Sequence, residues 1–314
     1  MFCPRFFVSL ASPKLLPFGN EKEKTVFFLH FAHLFVTLHQ YFELRMKKYC
    51  LDLTVRAVEQ VHSRYVLLRL TSDEQLPEME PCQFVEVLVD NSPTTFLRRP
   101  ISIHFVDRER NELWLLVAVV GDGTLRLAQL KAGDTLNCVL PLGRGFAKPE
   151  KGERRFLLVG GGVGVAPLLY QGALLKRCYE HVEVTFLLGA RTAADLLQLD
   201  EFRKYGRVLV TTEDGSEGEK GFVTNHSVLQ QETFDMVQCC GPTPMMKAVV
   251  SYTWKAHVAC EVSLENLMAC GLGACLCCVE KIRQIDADGT EAVHNVCVCK
   301  DGPVFRKEEL TWQI

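Results

Sequence analysis

The 314-residue sequence contains no apolar run long enough to cross a bilayer. Its strongest candidate, residues 25–38 (TVFFLHFAHLFVTL), is shorter than the ~20 residues a membrane helix needs and carries His30 and His33. No small-residue cleavage site follows it, since His39-Gln40-Tyr41-Phe42 comes next, so a secretory signal is not expected. Neither sign of charge dominates: 35 basic residues stand against 38 acidic ones, for a formal net charge of −3. That balance argues against a general nucleic-acid or anionic-membrane binder. Internal repeats and low-complexity tracts are also absent.

Cysteine, by contrast, is abundant. The chain has fourteen, and six of them fall between positions 270 and 299. Clustering of this kind in a long chain favours a metal site in a reducing compartment, here the cytoplasm, over a disulfide framework. Cys270, Cys275 and Cys278 are spaced C-x4-C-x2-C, and further cysteines follow at Cys297 and Cys299. This is the ligand spacing of a plant-type [2Fe–2S] cluster. Thiolates are soft ligands, and four of them complete two tetrahedral irons. Gly271 and Gly273 stand where a tight loop around the cluster needs unusual backbone angles. A zinc site also uses four cysteines, but it more often pairs two short C-x2–4-C hairpins. Spacing does not choose between Cys297 and Cys299, which share a face in an extended segment. Cys277, inside the loop, reads as a small filler.

Upstream, the chain changes period twice. From Met46 to about Phe146 it forms short β-rich segments, among them residues 65–70, 84–89 and 113–120. Regular short strands bounded by turns predict an antiparallel barrel. From Arg155 to about Val250, apolar runs at 156–159, 182–188, 208–211 and 236–239 alternate with helical stretches such as 167–177. That alternation predicts a parallel, doubly wound α/β sheet. The fold class is therefore α/β plus all-β, with a small cysteine module at the end.

Two nucleotide sites are legible. Gly160-Gly161-Gly162-Val163-Gly164 lies between a strand and a helix, where a pyrophosphate can approach the backbone at the helix N-terminus. Cys240-Gly241-Pro242, read as ending the last strand of that sheet, is placed to border a nicotinamide. In the barrel, Arg99-Pro100-Ile101-Ser102 offers a phosphate-pairing guanidinium with a hydroxyl on a strand. Gly121-Asp122-Gly123-Thr124, expected on the next hairpin, adds an amide-rich contact. Together these suggest a barrel surface that grips a second nucleotide.

Several stretches carry a resemblance. They are Leu97–Ile103, Pro141–Phe146, Val159–Leu168, Asp214–Ser216 with Gly221–Thr224, Cys240–Met246, Ser263–Gly271 and Cys299–Phe305. In this order they resemble the electron-transfer subunits of NAD-linked (class 1B) dihydroorotate dehydrogenases, within the ferredoxin-reductase-like flavoproteins. The resemblance spans residues 46–314. It implies an FAD-binding barrel at 46–150, an NAD-binding domain at 151–256 and a [2Fe–2S] module at 257–314. It places Arg99 to Ser102, Leu116, Val117, Ala118, Gly123 and Thr124 at the FAD, and it selects Cys299 as the fourth ligand. NAD is then a diffusible co-substrate. No side chain is expected to act as a catalytic acid or base. The implied partner is an FMN-containing catalytic subunit, two of each forming a heterotetramer, in pyrimidine (UMP) biosynthesis.

Some positions depart from the family. Cys82 stands where relatives usually have glycine, and Ala118 where some carry arginine. Residues 1–45 match nothing in it and hold nine of the nineteen phenylalanines. They are expected to be a dispensable extension, or untranslated with Met46 as the start; the alternative is an amphipathic helix that packs on the body or on a partner. Competing expectations are the small subunit of a sulfide dehydrogenase or of an NAD(P)–ferredoxin transhydrogenase. Such relatives often place aspartate where this chain has Cys270. Arg191 is a candidate contact for an NADP 2′-phosphate. A zinc-containing nucleotide sensor is the rival from another class.

Overall fold

The computed structural model describes residues 47–286 and 289–312. The expectations about residues 1–45 and Met46 lie outside them. Among the described residues no helix is long and apolar enough to cross a membrane.

The N-terminal half is a closed antiparallel barrel of β1 (Tyr49–His62), β2 (Tyr65–Thr71), β3 (Phe84–Val87), β4 (Arg99–Asp107), β5 (Glu112–Ala118) and β6 (Thr135–Leu142), in the order β1-β2-β5-β4-β3-β6. Leu53 and Val55 of β1 alternate with exposed neighbours and are fully buried, as a one-sided strand requires. Val85, Ile103, Leu115 and Val117 fill the interior with them.

The second half is a seven-stranded sheet ordered β10-β9-β8-β7-β11-β12-β15. Its strands are β7 (Arg155–Gly161), β8 (Glu183–Ala190), β9 (Arg207–Thr212), β10 (Glu219–Lys220), β11 (Met236–Cys240), β12 (Ala259–Ser263) and β15 (Val304–Arg306). All neighbours run parallel except β12 and β15. β7 is buried on both faces, which explains its continuous apolar run. After β7 the chain winds outward through β8 and β9, then returns to β7's other side with β11. The crevice of an open α/β sheet opens at such a reversal.

The expected boundary at 256–257 cuts through this sheet. β12 and β15 both lie beyond it yet hydrogen-bond into the same layer. Only the thiol loop and the antiparallel ribbon of β13 (Val279–Ile285) and β14 (Glu291–Cys297) stand apart from it.

Candidate functional site

A cavity of about 380 Å³ lies between barrel and sheet. Arg99, Pro100, Ile101 and Ser102 of β4 line one wall, and Leu116 and Ala118 of β5 continue it. Val117, between them, points into the barrel and is fully buried, as strand alternation demands. The Arg99 Nε donates to the Arg98 carbonyl at 3.0 Å.

Gly121-Asp122-Gly123-Thr124 does not form a hairpin. It opens helix α1 (Asp122–Ala128), because the Thr124 hydroxyl accepts the amides of Val120 and Gly121 at 2.9 and 3.2 Å and so caps the first turn. Thr124 lines the cavity. Gly123 lies against Arg99, whose Cδ would sit 3.4 Å from an added Cβ.

The opposite wall combines Val163 of the glycine-rich turn and Ala166 just after it with Ser263, which ends β12, and the following residues to Met268. The sequence reading assigned no binding role to this last segment. Its signal was its place within the resembling stretch 263–271.

Gly160 and Gly161 end β7, Gly162 to Val165 make a single 3₁₀ turn, and helix α2 (Ala166–Cys178) follows, with Pro167 in its first turn. Gly164 is packed so tightly that a Cβ would lie 2.5 Å from the Cys240 carbonyl oxygen and from the Gly241 Cα. The turn and Cys240-Gly241-Pro242 are therefore in backbone contact. Cys240 ends β11, an inner strand rather than the last one, since β12 and β15 lie beyond it. The two glycine-bearing ends thus flank the sheet's reversal, where a ligand crevice belongs. Cys240 itself is buried, and burial pushes its thiol well up. Arg191 is exposed just past β8, and its carbonyl accepts the Asp214 amide at 3.3 Å.

Cys82 adopts the left-handed conformation (φ 74°) natural to glycine, so the turn keeps its shape in spite of the side chain. Its thiol is buried at the cavity wall, and burial raises its pKa.

The thiol loop turns through three left-handed residues, Gly271 (φ 64°), Gly273 (φ 80°) and Leu276 (φ 59°). This aims backbone amides at sulfur. Leu272 N–H donates to Cys270 Sγ at 3.3 Å, and Gly273 N–H donates to Cys299 Sγ at 3.1 Å. Cys299 N–H in turn donates to Cys278 Sγ at 3.4 Å.

Burial opposes ionisation of Cys270. The amides of Leu272, Cys275 and Ala274, with the Cys275 side chain, outweigh it and bring the thiol down to about 6. Burial, then the adjoining Cys278, pushes Cys299 up to about 12 despite the Gly273 amide. A cation at this place is what brings a neighbouring buried thiol to thiolate.

Cys299 lies in a helical turn, Val298–Asp301, so it does not share an extended segment with Cys297. Cys297 ends β14, its amide donates to Asp301 at 2.9 Å, and its thiol reaches the Gly273 carbonyl at 3.8 Å. Cys277 is exposed and fills nothing, contrary to the small-filler reading. Among the described residues no three such groups converge on a single metal ion. A two-iron cluster distributes its four thiolates over two metals. Four thiols, left-handed turns and amides aimed at sulfur fit that group.

Beneath this loop lies Glu86 of β3, fully buried with both carboxylate oxygens unpartnered. An added Cβ at Gly271 would lie 2.6 Å from its Cγ. Burial raises its carboxyl to about 7 against Arg99 and Arg98, with Cys270 adding to the rise. Its trace in the sequence was a lone acid in an apolar strand.

Comparison with known proteins gives concordant findings. Residues 265–311 match the family model for the iron–sulfur cluster binding domain of dihydroorotate dehydrogenase B. Residues 158–251 match the oxidoreductase NAD-binding domain. The chain is 40% identical over 230 residues to the electron transfer subunit of dihydroorotate dehydrogenase B (NAD(+)) from Caldanaerobacter subterraneus subsp. tengcongensis, covering 73% of this chain and 86% of the relative. The subunit of the same name from Bacillus velezensis is 39% identical over 261 residues, covering 82% and 97%. Among solved structures, an NADH-dependent reduced ferredoxin–NADP oxidoreductase studied for flavin-based electron bifurcation aligns with TM-score 0.70 and 31% identity, covering 83% of this chain and 90% of that one. Phthalate dioxygenase reductase aligns with TM-score 0.56 and 21% identity, covering 79% and 77%, a likeness of fold.

Proposed function

We propose, from the premise that this chain belongs to the electron-transfer-subunit family of dihydroorotate dehydrogenase B, that it carries electrons between a catalytic dihydroorotate dehydrogenase subunit and NAD. The observation that carries this reading is spatial. One cavity is bounded by the barrel strand Arg99–Ser102, by the dinucleotide turn through Val163 and Ala166, and by Ser263–Met268, the segment that runs into Cys270.

When bound, a flavin exchanges hydride with nicotinamide and single electrons with an iron–sulfur cluster, redox chemistry that no side chain supplies. The chain's residues bind and space these groups. Arg99 to Ser102, Leu116, Ala118, Gly123 and Thr124 are the proposed hold on FAD, with Val117 backing them from the barrel core. Gly160, Gly161, Gly162 and Gly164, with Cys240, Gly241 and Pro242, are the proposed seat of the NAD pyrophosphate and nicotinamide. Cys270, Cys275, Cys278 and Cys299 are the proposed cluster ligands. The amides of Leu272 and Gly273 would stabilise negative charge on sulfur.

The proposed domains are the barrel at 46–150, the NAD domain from 151, and a cluster module inserted between β12 and β15. The finer proposal is a partner that carries FMN, an assembly of two subunits of each kind, a role in pyrimidine biosynthesis and a cytoplasmic site. The clustered free thiols support a reducing compartment.

A second reading, a subunit of an NAD(P)–ferredoxin transhydrogenase, is favoured by the 31% identical bifurcating oxidoreductase. Co-purification with the catalytic subunit and an assay of dihydroorotate-dependent NAD+ reduction separates the two. Reduction driven by dihydroorotate supports the first. A complex that reduces NAD+ only with ferredoxin or sulfide supports the second.

A further inference from the structure

His104 sits where β4 changes partners. Ile103 N–H donates to Gln83 at 2.9 Å on the β3 side. On the β5 side the register runs from Ile103↔Leu115 to Phe105↔Trp114, leaving His104 as the extra residue of a bulge. Bulges re-aim side chains. The imidazole turns out of the barrel, is fully buried, and its Nδ1 lies 2.7 Å from the carbonyl oxygen of Ala166. A carbonyl only accepts, so the ring donates from Nδ1. Burial lowers the pKa of His104 and favours the neutral ring, in spite of the Ala166 hydrogen bond, Gln198 and the more distant Glu201.

This bond joins two positions that matter for the cavity. Ala166 begins α2, two residues after Gly164, and lines the cavity. Ser102, which lines the facing wall, is two residues before His104. Other contacts hold the sheet to the barrel farther from the cavity. Tyr170 donates to the Met79 carbonyl at 2.9 Å, Phe105 packs edge-on to Tyr170, and Arg64 pairs with Asp195 at 2.6 Å. Sheet and barrel are thus also joined by contacts that do not involve His104.

We propose that His104 is a positioning residue for hydride transfer, fixing the dinucleotide turn against the flavin-bearing strand so that the two nucleotides meet at one distance. The proposal rests on the FAD and NAD reading above. The step it serves oxidises NADH to NAD+ while the flavin takes up the hydride. Small misplacements of reacting groups are expensive in rate, so one hydrogen bond at this point governs the step.

The test uses the full-length holoprotein with His104→Leu, which removes the donor, and His104→Asn, whose amide restores a donor near Nδ1. Flavin bleaching by NADH is followed anaerobically by stopped flow. Exchange of the amides of Gly164, Val165, Ala166 and Leu168 is followed by mass spectrometry. His104→Leu is expected to keep its FAD and NADH affinity, to bleach about tenfold or more slowly at saturating NADH, and to exchange these amides faster. His104→Asn is expected to recover most of the rate and protection. A His104→Leu protein that bleaches at the wild-type rate overturns the proposal. So does a folded, FAD-loaded His104→Asn protein as slow as His104→Leu. If His104→Leu loses FAD or fails to fold, His104→Asn is compared with wild type: a rate and protection near wild type support the proposal, and a folded, FAD-loaded protein that bleaches about tenfold more slowly overturns it. A wild-type holoprotein that NADH does not bleach overturns the nucleotide reading itself, and with it this inference.

Discussion

The cavity between barrel and sheet and the thiol site are built in different ways. The cavity walls are strands and helix starts whose backs are packed into a core. Val117 behind Leu116 and Ala118 is fully buried, and the glycine turn rests on the backbone of Cys240 and Gly241. The thiol site hangs from a loop with three left-handed residues and a two-stranded ribbon, and its sulfurs range from exposed Cys275 to buried Cys278 and Cys299. The ribbon is anchored at one side, where Ile282 is buried and bridges to Leu310, while Ile285 and Val293 stay exposed. Its thiols also differ in ionisation, with Cys270 near 6 and Cys299 near 12. One site is preformed by packing; the other is packed at Cys278 and Cys299 and left open at Cys270 and Cys275, where a bound metal would complete it.

The largest expected effect lies on the thiol side. Cys299→Ser should abolish cluster absorbance and iron content, whereas Cys297→Ser should keep both. The reverse pattern in iron analysis would shift the fourth ligand to Cys297. In either variant the barrel and sheet should melt as cooperatively as wild type.

On the cavity side, Gly164→Ala forces a Cβ to 2.5 Å from Cys240 O. It should cost about 3 kcal/mol in denaturant unfolding and weaken NADH binding. A fully tolerated alanine would mean that the two strand ends are not in contact.

Glu86 lies where the two regions meet, and it gives a pH signature. Its folded pKa, about 7, lies above the ordinary 4.5. Between these values the native state holds a proton that the unfolded chain has released. Its contribution to stability is therefore full below about pH 4.5 and is lost as pH rises through about 7. Glu86→Gln apoprotein should be more stable than wild type by about 3 kcal/mol at pH 8, with the difference closing toward pH 5. Parallel urea titrations at the two pH values check this, and a constant difference would contradict it.

The smallest effect concerns Lys307, buried with its ammonium donating to the carbonyls of Thr253 and Val258 at 3.1 and 2.6 Å. It closes the C-terminal end of the helix Thr243–Ala256 and lies over the Trp254 ring. Lys307→Met should lower stability by about 1–2 kcal/mol and leave the cluster spectrum unchanged. A lost spectrum would show that the sheet and the thiol site are more tightly coupled than proposed here.

Local pattern was enough to read the barrel, the parallel sheet and the strand–turn–helix at Gly160–Gly164, because period and turn residues are local signals. Residues whose roles are set by distant neighbours were not legible in this way. Gly121–Thr124 caps a helix because the Thr124 hydroxyl finds two amides. Cys240 ends an inner strand because β12, before the thiol loop, and β15, after it, extend the sheet past β11. Nothing local marks Glu86 as lying under Gly271, or His104 as the extra residue of a bulge. The six cysteines announced a metal site at once. Spacing left Cys297 and Cys299 equal; only in three dimensions does the Cys299 thiol accept the Gly273 amide while the Cys297 thiol faces the Gly273 carbonyl.

Anaerobic titration of the purified full-length protein with NADH, followed by visible absorbance and electron paramagnetic resonance, decides whether nicotinamide, flavin and cluster form one relay. Flavin bands are expected to bleach together with the appearance of a reduced [2Fe–2S] signal. A colourless, zinc-containing protein, or a flavin reduced by NADH with no iron–sulfur signal, would contradict it.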